Sequence, residues 1–391
     1  MPINFLREFI KLESRSSVIL IISALIAVII ANSSWQDTYI NLLNHSFKFQ
    51  TFNISIMTSF KQVVNEGLMT FFFLLISLEL KREFLIGELN TRKKALLPFI
   101  ASIGGMGMAA LTFLIINNSI IENQIGWAIP TATDVAFASS VLILLGKSVP
   151  RSLKIFLIAL AITDDIGAVF IISIFYTQQP DMIYLLTALL VFSVLIIVNL
   201  AGIVNKTIYV VFGILLWILI FKANINSALA GALIGFTIPL RTRHDSEPPL
   251  QKLERVLHPW VVYGVLPLFA FVNGGLTFSG LNIQSFFNPL TLGIMLGLFL
   301  GKQIGVFGAC FIAVKLRVAK LPSHINWKHI YGVSLLCGIG FTMNLFIGFL
   351  AFPDNQAYLN LVKLGIFSGT IISSISGYTV LKLIAKKSRH N

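Results

Sequence analysis

Apolar runs separated by short polar breaks fill the chain almost from end to end. A bilayer-spanning helix needs about 20 mostly apolar residues, within a range of about 17 to 25. Twelve stretches approach that length, near 16–31, 60–84, 95–116, 124–146, 152–175, 183–203, 208–221, 225–240, 260–276, 289–314, 329–351 and 357–384; the seventh and eighth are short. The pattern predicts an all-α membrane protein with twelve transmembrane helices. No Pro/Ser/Gly-rich linker interrupts it and the longest polar insert is 241–258, so residues 1–391 are expected to form a single transmembrane domain.

The alternation of sides adds a symmetry. Span three and span ten begin on opposite sides, so the triplets 95–175 and 289–384 run in opposite senses, the inverted-repeat build of many secondary transporters. The middle span of each triplet is interrupted, by Pro130-Thr131-Ala132-Thr133-Asp134 in span four and by Gly338-Ile339-Gly340-Phe341-Thr342 in span eleven. Proline removes a backbone donor and disfavours helix in the residue before it. Each glycine lowers helix propensity by about 1 kcal/mol relative to alanine. Singly these are an ordinary kink and a close-packing device. In corresponding spans they point to two broken, crossing helices with an ion site at the midplane.

The chain has 391 residues, 56% hydrophobic and only 12% charged, with a mean hydropathy of +0.86. A soluble globular protein of this size is excluded. The net charge of +13 brings nucleic acid into view, but the distribution of the basic residues removes it. With the amino terminus inside, every Lys and Arg except Lys48, Lys61, Lys222, Lys302 and Lys363 falls on the cytoplasmic side, the positive-inside bias. Both termini are therefore expected in the cytoplasm, with the lipid bilayer as partner and no nucleic acid. Span one follows Arg7, Lys11 and Arg15 as a signal peptide would, yet no small-residue cleavage site follows Ala31, and a retained anchor is expected. Cys310 and Cys337 lie within spans and imply no disulfide framework.

Asp134, Asp164 and Asp165 lie near the middle of apolar stretches, where a carboxylate costs about 2.5–3.5 kcal/mol and is usually tied to an ion pathway or proton relay. Two breaks would present four half-helix ends, each carrying about half an elementary charge. Asp134 can compensate the amino-terminal ends and Lys302 the carboxyl ends, with the Thr133 hydroxyl beside them. Asp164 and Asp165 are neighbours on one helix and point about 100° apart. One can serve as a hard oxygen ligand for a small cation while the other faces a partner such as Lys302. Burial and mutual repulsion work against two negative charges side by side, so protons and a metal ion can exchange at one site.

Other readings are weaker. A buried Asp–Lys pair could merely stabilise the bundle. An intramembrane aspartyl protease also needs carboxylates on two helices, but Asp164 follows Ala161-Ile162-Thr163 and Asp134 follows Thr131-Ala132-Thr133, so the Gly-x-Gly-Asp motif is absent. A P-loop at 297–302 fails, being one residue short and followed by Gln303.

Together, Ile129-Pro-Thr-Ala-Thr-Asp134, Thr163-Asp-Asp-Ile-Gly167, Gly301-Lys302, Leu78-Glu-Leu-Lys-Arg-Glu83, His258-Pro-Trp260 and Gly338-Ile-Gly-Phe-Thr-Met343 closely resemble the bacterial NhaA sodium/proton antiporter family. The likeness runs in order over nearly the whole chain. It implies an electrogenic, pH-dependent inner-membrane antiporter that exports Na+ or Li+ for a larger number of protons, with no cofactor. It also implies that the residue matching Asp165 is a central cation ligand, that those matching Asp164 and Lys302 form a proton-linked pair, and that the one matching Asp134 assists at the crossing. Glu79, Arg82, Glu83, Glu254 and His258 match an acid–base cluster that senses pH at the cytoplasmic funnel, although these are also positions near span ends where solvated charge is ordinary. Asn226 and Arg255 stand where familiar members carry histidines, and Glu66 replaces an aspartate. Residues 47–56 alternate in part as a strand would; in the family this segment is a hairpin joining two protomers, which implies a homodimer, while by sequence alone a surface loop fits equally. The alternative within the transporter class is a sodium-coupled solute symporter of related fold, which would need a polar pocket beyond the cation site.

Overall fold

The computed structural model describes residues 3–51, 54–87, 90, 92–146, 149–177, 179–240, 248–353 and 355–387. The chain is mostly helical. It runs through α1 (Ile3–Ala31), α2 (Gln36–Asn44), the strands β1 (Ser46–Thr51) and β2 (Ile54–Ser59), α3 (Phe60–Leu85), α4 (Arg92–Ile116), α5 (Ile121–Thr131) and α6 (Val135–Leu144). There follow α7 (Arg151–Phe175), α8 (Met182–Leu200), α9 (Lys206–Lys222), α10 (Ala228–Thr237), α11 (Pro249–Gly274), α12 (Pro289–Lys315), α13 (Trp327–Leu336), α14 (Thr342–Ala351) and α15 (Gln356–Lys387).

Among the described residues seven helices are long and apolar enough to cross a membrane, or nine if each of two bent pairs is one span. Those pairs are residues 16–31 of α1 with α2, bent by 114°, and α5 with α6, bent by 48°. Both interruptions read from the sequence are present. Residues 132–134 separate α5 from α6, and residues 337–341 separate α13 from α14. The halves α13 and α14 have 10 residues each. Each therefore rises about 15 Å, half of a hydrocarbon layer about 30 Å thick.

The ninth span differs from its expectation. The helix begins at Pro249, inside the stretch read as a polar insert, because α11 opens amphipathically: Leu250, Glu254 and His258 recur every fourth residue and are all buried. A search for uninterrupted apolar runs passes over such a turn. Residues 46–51 and 54–59 form an antiparallel hairpin, with Ser46 opposite Ser59 and Thr51 opposite Ile54. Ser59 then caps the start of α3, accepting the Gln62 N–H while the Gln62 side chain accepts the Ser59 N–H.

The chain divides into two compact units, one of Met1–Val18, Ile86–Ala168 and Leu276–Asn391, the other of Ile19–Leu85 and Val169–Gly275. In the first, α4 and α12 meet backbone to backbone. Gly301 and Gly305 sit one turn apart on α12, and a Cβ on either would strike the backbone of Ala109 or Gly104. This small-residue seam is how membrane helices gain close contact without a hydrophobic drive between them. Leu97, Leu142, Leu153, Phe156, Val306, Ile330 and Leu336 fill the core beside it. In the second unit Gly231 and Gly235 of α10 bring it against the backbone of α3 at Thr70 and Leu74, over a core that includes Leu78, Leu195, Leu216 and Ile220. On α8 the apolar Ile183, Leu186, Leu190, Ile197 and Leu200 stand exposed, as a lipid-facing helix of a multi-pass membrane protein requires.

Candidate functional site

Asp164 sits in the middle of α7, within the first unit, and every bond it makes goes to another buried group. Its Oδ1 accepts from Ser102 Oγ of α4 at 2.6 Å. Its Oδ2 lies 2.6 Å from Thr133 Oγ1 and 2.5 Å from Lys302 Nζ. Asp164 and Lys302 are both 0% exposed. Lys302 is the first residue after a turn of π-helix at Gly297–Gly301, a local unwinding frequent at functional sites, and Gly301 against Ala109 keeps its turn pressed on α4. Asp165, also buried, is one residue further round α7 and so projects about 100° away from Asp164.

Asp134 stands at the break between α5 and α6. Its Oδ1 accepts from Phe137 N–H at 3.2 Å, capping α6, and its Oδ2 accepts from the N–H and hydroxyl of Thr342 at 3.0 and 2.7 Å, at the start of α14. One carboxylate thus serves two helix amino termini, as the half-charge argument anticipated. The Asp134 N–H in turn donates to the Ile339 carbonyl at 2.8 Å, tying the two broken segments together.

Of the two roles open to Lys302, the carboxyl end of α13 is not the one it takes, and the carbonyls of the break are met by hydroxyls. Thr133 Oγ1 lies 2.8 Å from the Cys337 carbonyl oxygen, and Thr370 Oγ1 donates to that of Gly340 at 3.2 Å. Lys302 takes the other expected partner, Asp164. A full negative charge in a buried, low-dielectric setting attracts an ammonium more strongly than the partial charge of a helix end does. Thr133 has one hydroxyl proton for two acceptors, Asp164 and Cys337, and so links the aspartate to the second break.

Sequence reasoning missed Ser102, Thr342 and Thr370. Ser102 was findable as the one hydroxyl in Ala101-Ser102-Ile103-Gly104-Gly105. Pro130 lies in the last turn of α5, and Gly338 and Gly340 lie in the unwound segment. Among the described residues no three of His, Cys, Asp and Glu gather as a metal cluster. Besides the Lys302 ammonium, Asp164 is met by the hydroxyls of Ser102 and Thr133; carboxylate and hydroxyl oxygens are the donors a small hard cation takes.

The second unit holds the acid–base cluster. Glu79, Arg82 and Glu83 share a face of α3, being three and four residues apart. Arg82 Nε reaches both oxygens of Glu254 on α11 at 3.0 and 2.9 Å, and an Arg82 terminal nitrogen reaches Glu83 at 2.6 Å. His258 Nε2 lies 3.8 Å from Glu79 Oε1. All five side chains are buried, so the solvated-charge reading does not apply to them. Arg255, one residue beyond Glu254, is exposed, and Asn226 caps the start of α10 by accepting the Ala228 N–H at 2.9 Å.

The family model described as Na+/H+ antiporter 1 matches residues 7–381. The Na(+)/H(+) antiporter NhaA 1 of Syntrophotalea carbinolica is 44% identical over 388 residues, covering 99% of this chain and 98% of that one. The Na(+)/H(+) antiporters NhaA of Pseudomonas putida strain GB-1 and of Vibrio cholerae are each 45% identical, over 98% and 97% of this chain and 98% of their own. The fold is also similar to that of the sodium proton antiporter MjNhaP1 from Methanocaldococcus jannaschii, with a TM-score of 0.55 at 14% identity over 99% of both chains.

Proposed function

The chain belongs to the Na+/H+ antiporter 1 family and is a Na+/H+ antiporter, and on that premise we propose that it exports Na+ or Li+ electrogenically by proton–cation competition at Asp164 and Asp165. The observation that carries this reading is the bonding of Asp164. Both its oxygens are engaged, one of them by the Lys302 ammonium, with no exposure of either side chain. A cation that takes Asp164 as a ligand must displace Lys302, and a displaced ammonium buried alone is too costly to persist charged. The pair therefore gives up one proton as the cation binds. Asp165 turns a second carboxylate toward the cation and exchanges a second proton. Asp134 and Thr133 hold the broken helices in register around this exchange.

More protons than cations then cross per cycle. A net movement of one charge gains about 2.3 kcal/mol per 100 mV of membrane potential, so Na+ leaves even where the pH gradient is small. Transport proceeds by alternating access in a twelve-helix protein of the bacterial inner membrane. Spans 3–5 and 10–12 are its inverted repeats, both termini are cytoplasmic, and the 46–59 hairpin joins two protomers. The buried cluster of Glu79, Arg82, Glu83, Glu254 and His258 sets the pH dependence. No resident cofactor takes part.

The test is proton flux on addition of Na+ to proteoliposomes, with and without an imposed potential. The reading requires that Asp164→Asn and Asp165→Asn each abolish the flux in folded protein and that an inside-negative potential, drawing protons in, accelerates Na+ export. Full activity in either variant would remove it.

A further inference from the structure

Each glycine of the α13–α14 break is walled by a fully buried polar side chain. A Cβ on Gly338 would strike Ser373 Oγ of α15, and one on Gly340 would strike the carboxamide nitrogen of Asn344 on α14. Asn344 and Ser373 are both 0% exposed. The Asn344 Oδ1 and Nδ2 and the Ser373 Oγ have no hydrogen-bond partner in the protein. A carboxamide can accept two bonds and donate two, and buried polar groups are almost always paired. An amide in this condition is available to a partner that is not part of the protein.

Its neighbours indicate which. The Cβ position on Gly340 that meets Asn344 is 2.8 Å from the Ala132 carbonyl oxygen, and Ala132 precedes Thr133, which is bonded to Asp164. Asn344 is also two residues beyond Thr342, which holds Asp134. The carboxamide therefore lies by the Ala132 backbone at the crossing, within one or two residues along the chain of Thr133 and Asp134, whose side chains bond Asp164 and Thr342. At the crossing the carboxylate oxygens of Asp134 and Asp164 are already bonded, whereas the amide oxygen of Asn344 has no partner in the protein. Amide, hydroxyl and backbone carbonyl oxygens are hard, neutral donors. They replace part of a small cation's hydration while holding it loosely enough to leave.

We propose that Asn344 is a neutral oxygen ligand of the transported monovalent cation, beside the unwound 337–341 backbone, and that it sets the discrimination between Na+ and Li+. The assignment rests on cation exchange at Asp164 and Asp165.

Proton flux is titrated with Na+ and with Li+ in proteoliposomes of the wild type, Asn344→Leu, Asn344→Ala, Asn344→Ser and Asp165→Asn, each checked for folding by thermal unfolding. Asn344→Leu keeps the shape and removes every donor and acceptor. It is expected to raise KM for Na+ at least tenfold and change the Na+ to Li+ KM ratio at least threefold, with maximal rate within threefold of wild type. Its melting temperature holds or rises, because an unbonded buried amide has been removed. Asn344→Ser, with a shorter neutral oxygen, falls between, and Asn344→Ala carries the same KM expectation should leucine not fit. KM values and ratio within twofold of wild type in the folded Leu or Ala variant overturn the proposal. So does a lost maximal rate with unchanged KM, or a misfolding of both variants, which is a structural role. If Asp165→Asn transports normally, the parent reading fails; if it is inactive while Asn344→Leu matches wild type, only the Asn344 assignment fails.

Discussion

Lys302 Nζ lies 2.5 Å from Asp164 Oδ2, and neither side chain reaches solvent. Taking both charges out of water is costly, and their attraction offsets that cost only while both are present. The pair is therefore a poor stabiliser and a good switch: removing either charge leaves the other in an interior that cannot solvate it. In the exchange we propose, transport exploits the same imbalance when a cation replaces the ammonium.

The first prediction concerns this imbalance. Lys302→Met should lower the stability of the folded protein by about 3–5 kcal/mol, because it strands Asp164. Asp164→Asn combined with Lys302→Met removes both charges of the pair and should recover most of the loss. Thermal unfolding of both single variants and the double variant in detergent closes the cycle. A double variant as unstable as the sum of its parents would contradict it.

The second concerns Asp134. Asp134→Ala removes the caps of α6 and α14 together, at about 1 kcal/mol for each, while the backbone bond from its N–H to the Ile339 carbonyl stays. Asp134→Asn keeps an acceptor oxygen and should lose less. The expected order of thermal stability is wild type, then Asn, then Ala.

Both breaks were legible because proline and paired glycines leave a local mark on a helix, and the aspartates because carboxylates are rare in apolar runs. The partner of Lys302 was only half legible: the residues alone offer the helix ends and Asp164 as equal partners, the family resemblance points to Asp164, and the register of α12 on α4 puts the ammonium there. Ser102 was lost for the same reason, since its bond to Asp164 depends on how α4 faces α7. The amphipathic start of α11 escaped because run length was read there rather than period; the spacing of Leu250, Glu254 and His258 carries it.

The α4–α12 seam supplies a third prediction. Gly305→Ala places a methyl against the Gly104 backbone, which cannot yield as a side chain would, and should abolish transport or assembly. Gly107 and Gly308, on the same two helices, have nothing within 4 Å of an added Cβ. Alanine there should be neutral or stabilise by about 0.5–1 kcal/mol through the unfolded chain. Expression and flux of the three variants separate a packed seam from a general need for glycine.

A fourth addresses pH dependence. His258 attracts Glu79 only when protonated, so that contact is present at acid pH and is lost as pH rises. If its loss frees the transporter, His258→Ala should move half-maximal activity to lower pH and leave the KM for Na+ at saturating pH within twofold. Flux measured from pH 6 to 9 reads both quantities. A KM changed with an unmoved profile would assign the cluster to cation binding instead.

Sodium binding to purified protein, titrated calorimetrically at a series of pH values, tests proton–cation competition most directly. If the cation displaces protons from the Asp164–Lys302 pair and Asp165, the apparent Kd should rise on acidification by about tenfold per pH unit for each proton displaced, with proton release into the buffer on binding. A Kd that stays constant across pH 6 to 9, with no protons released, would contradict the account.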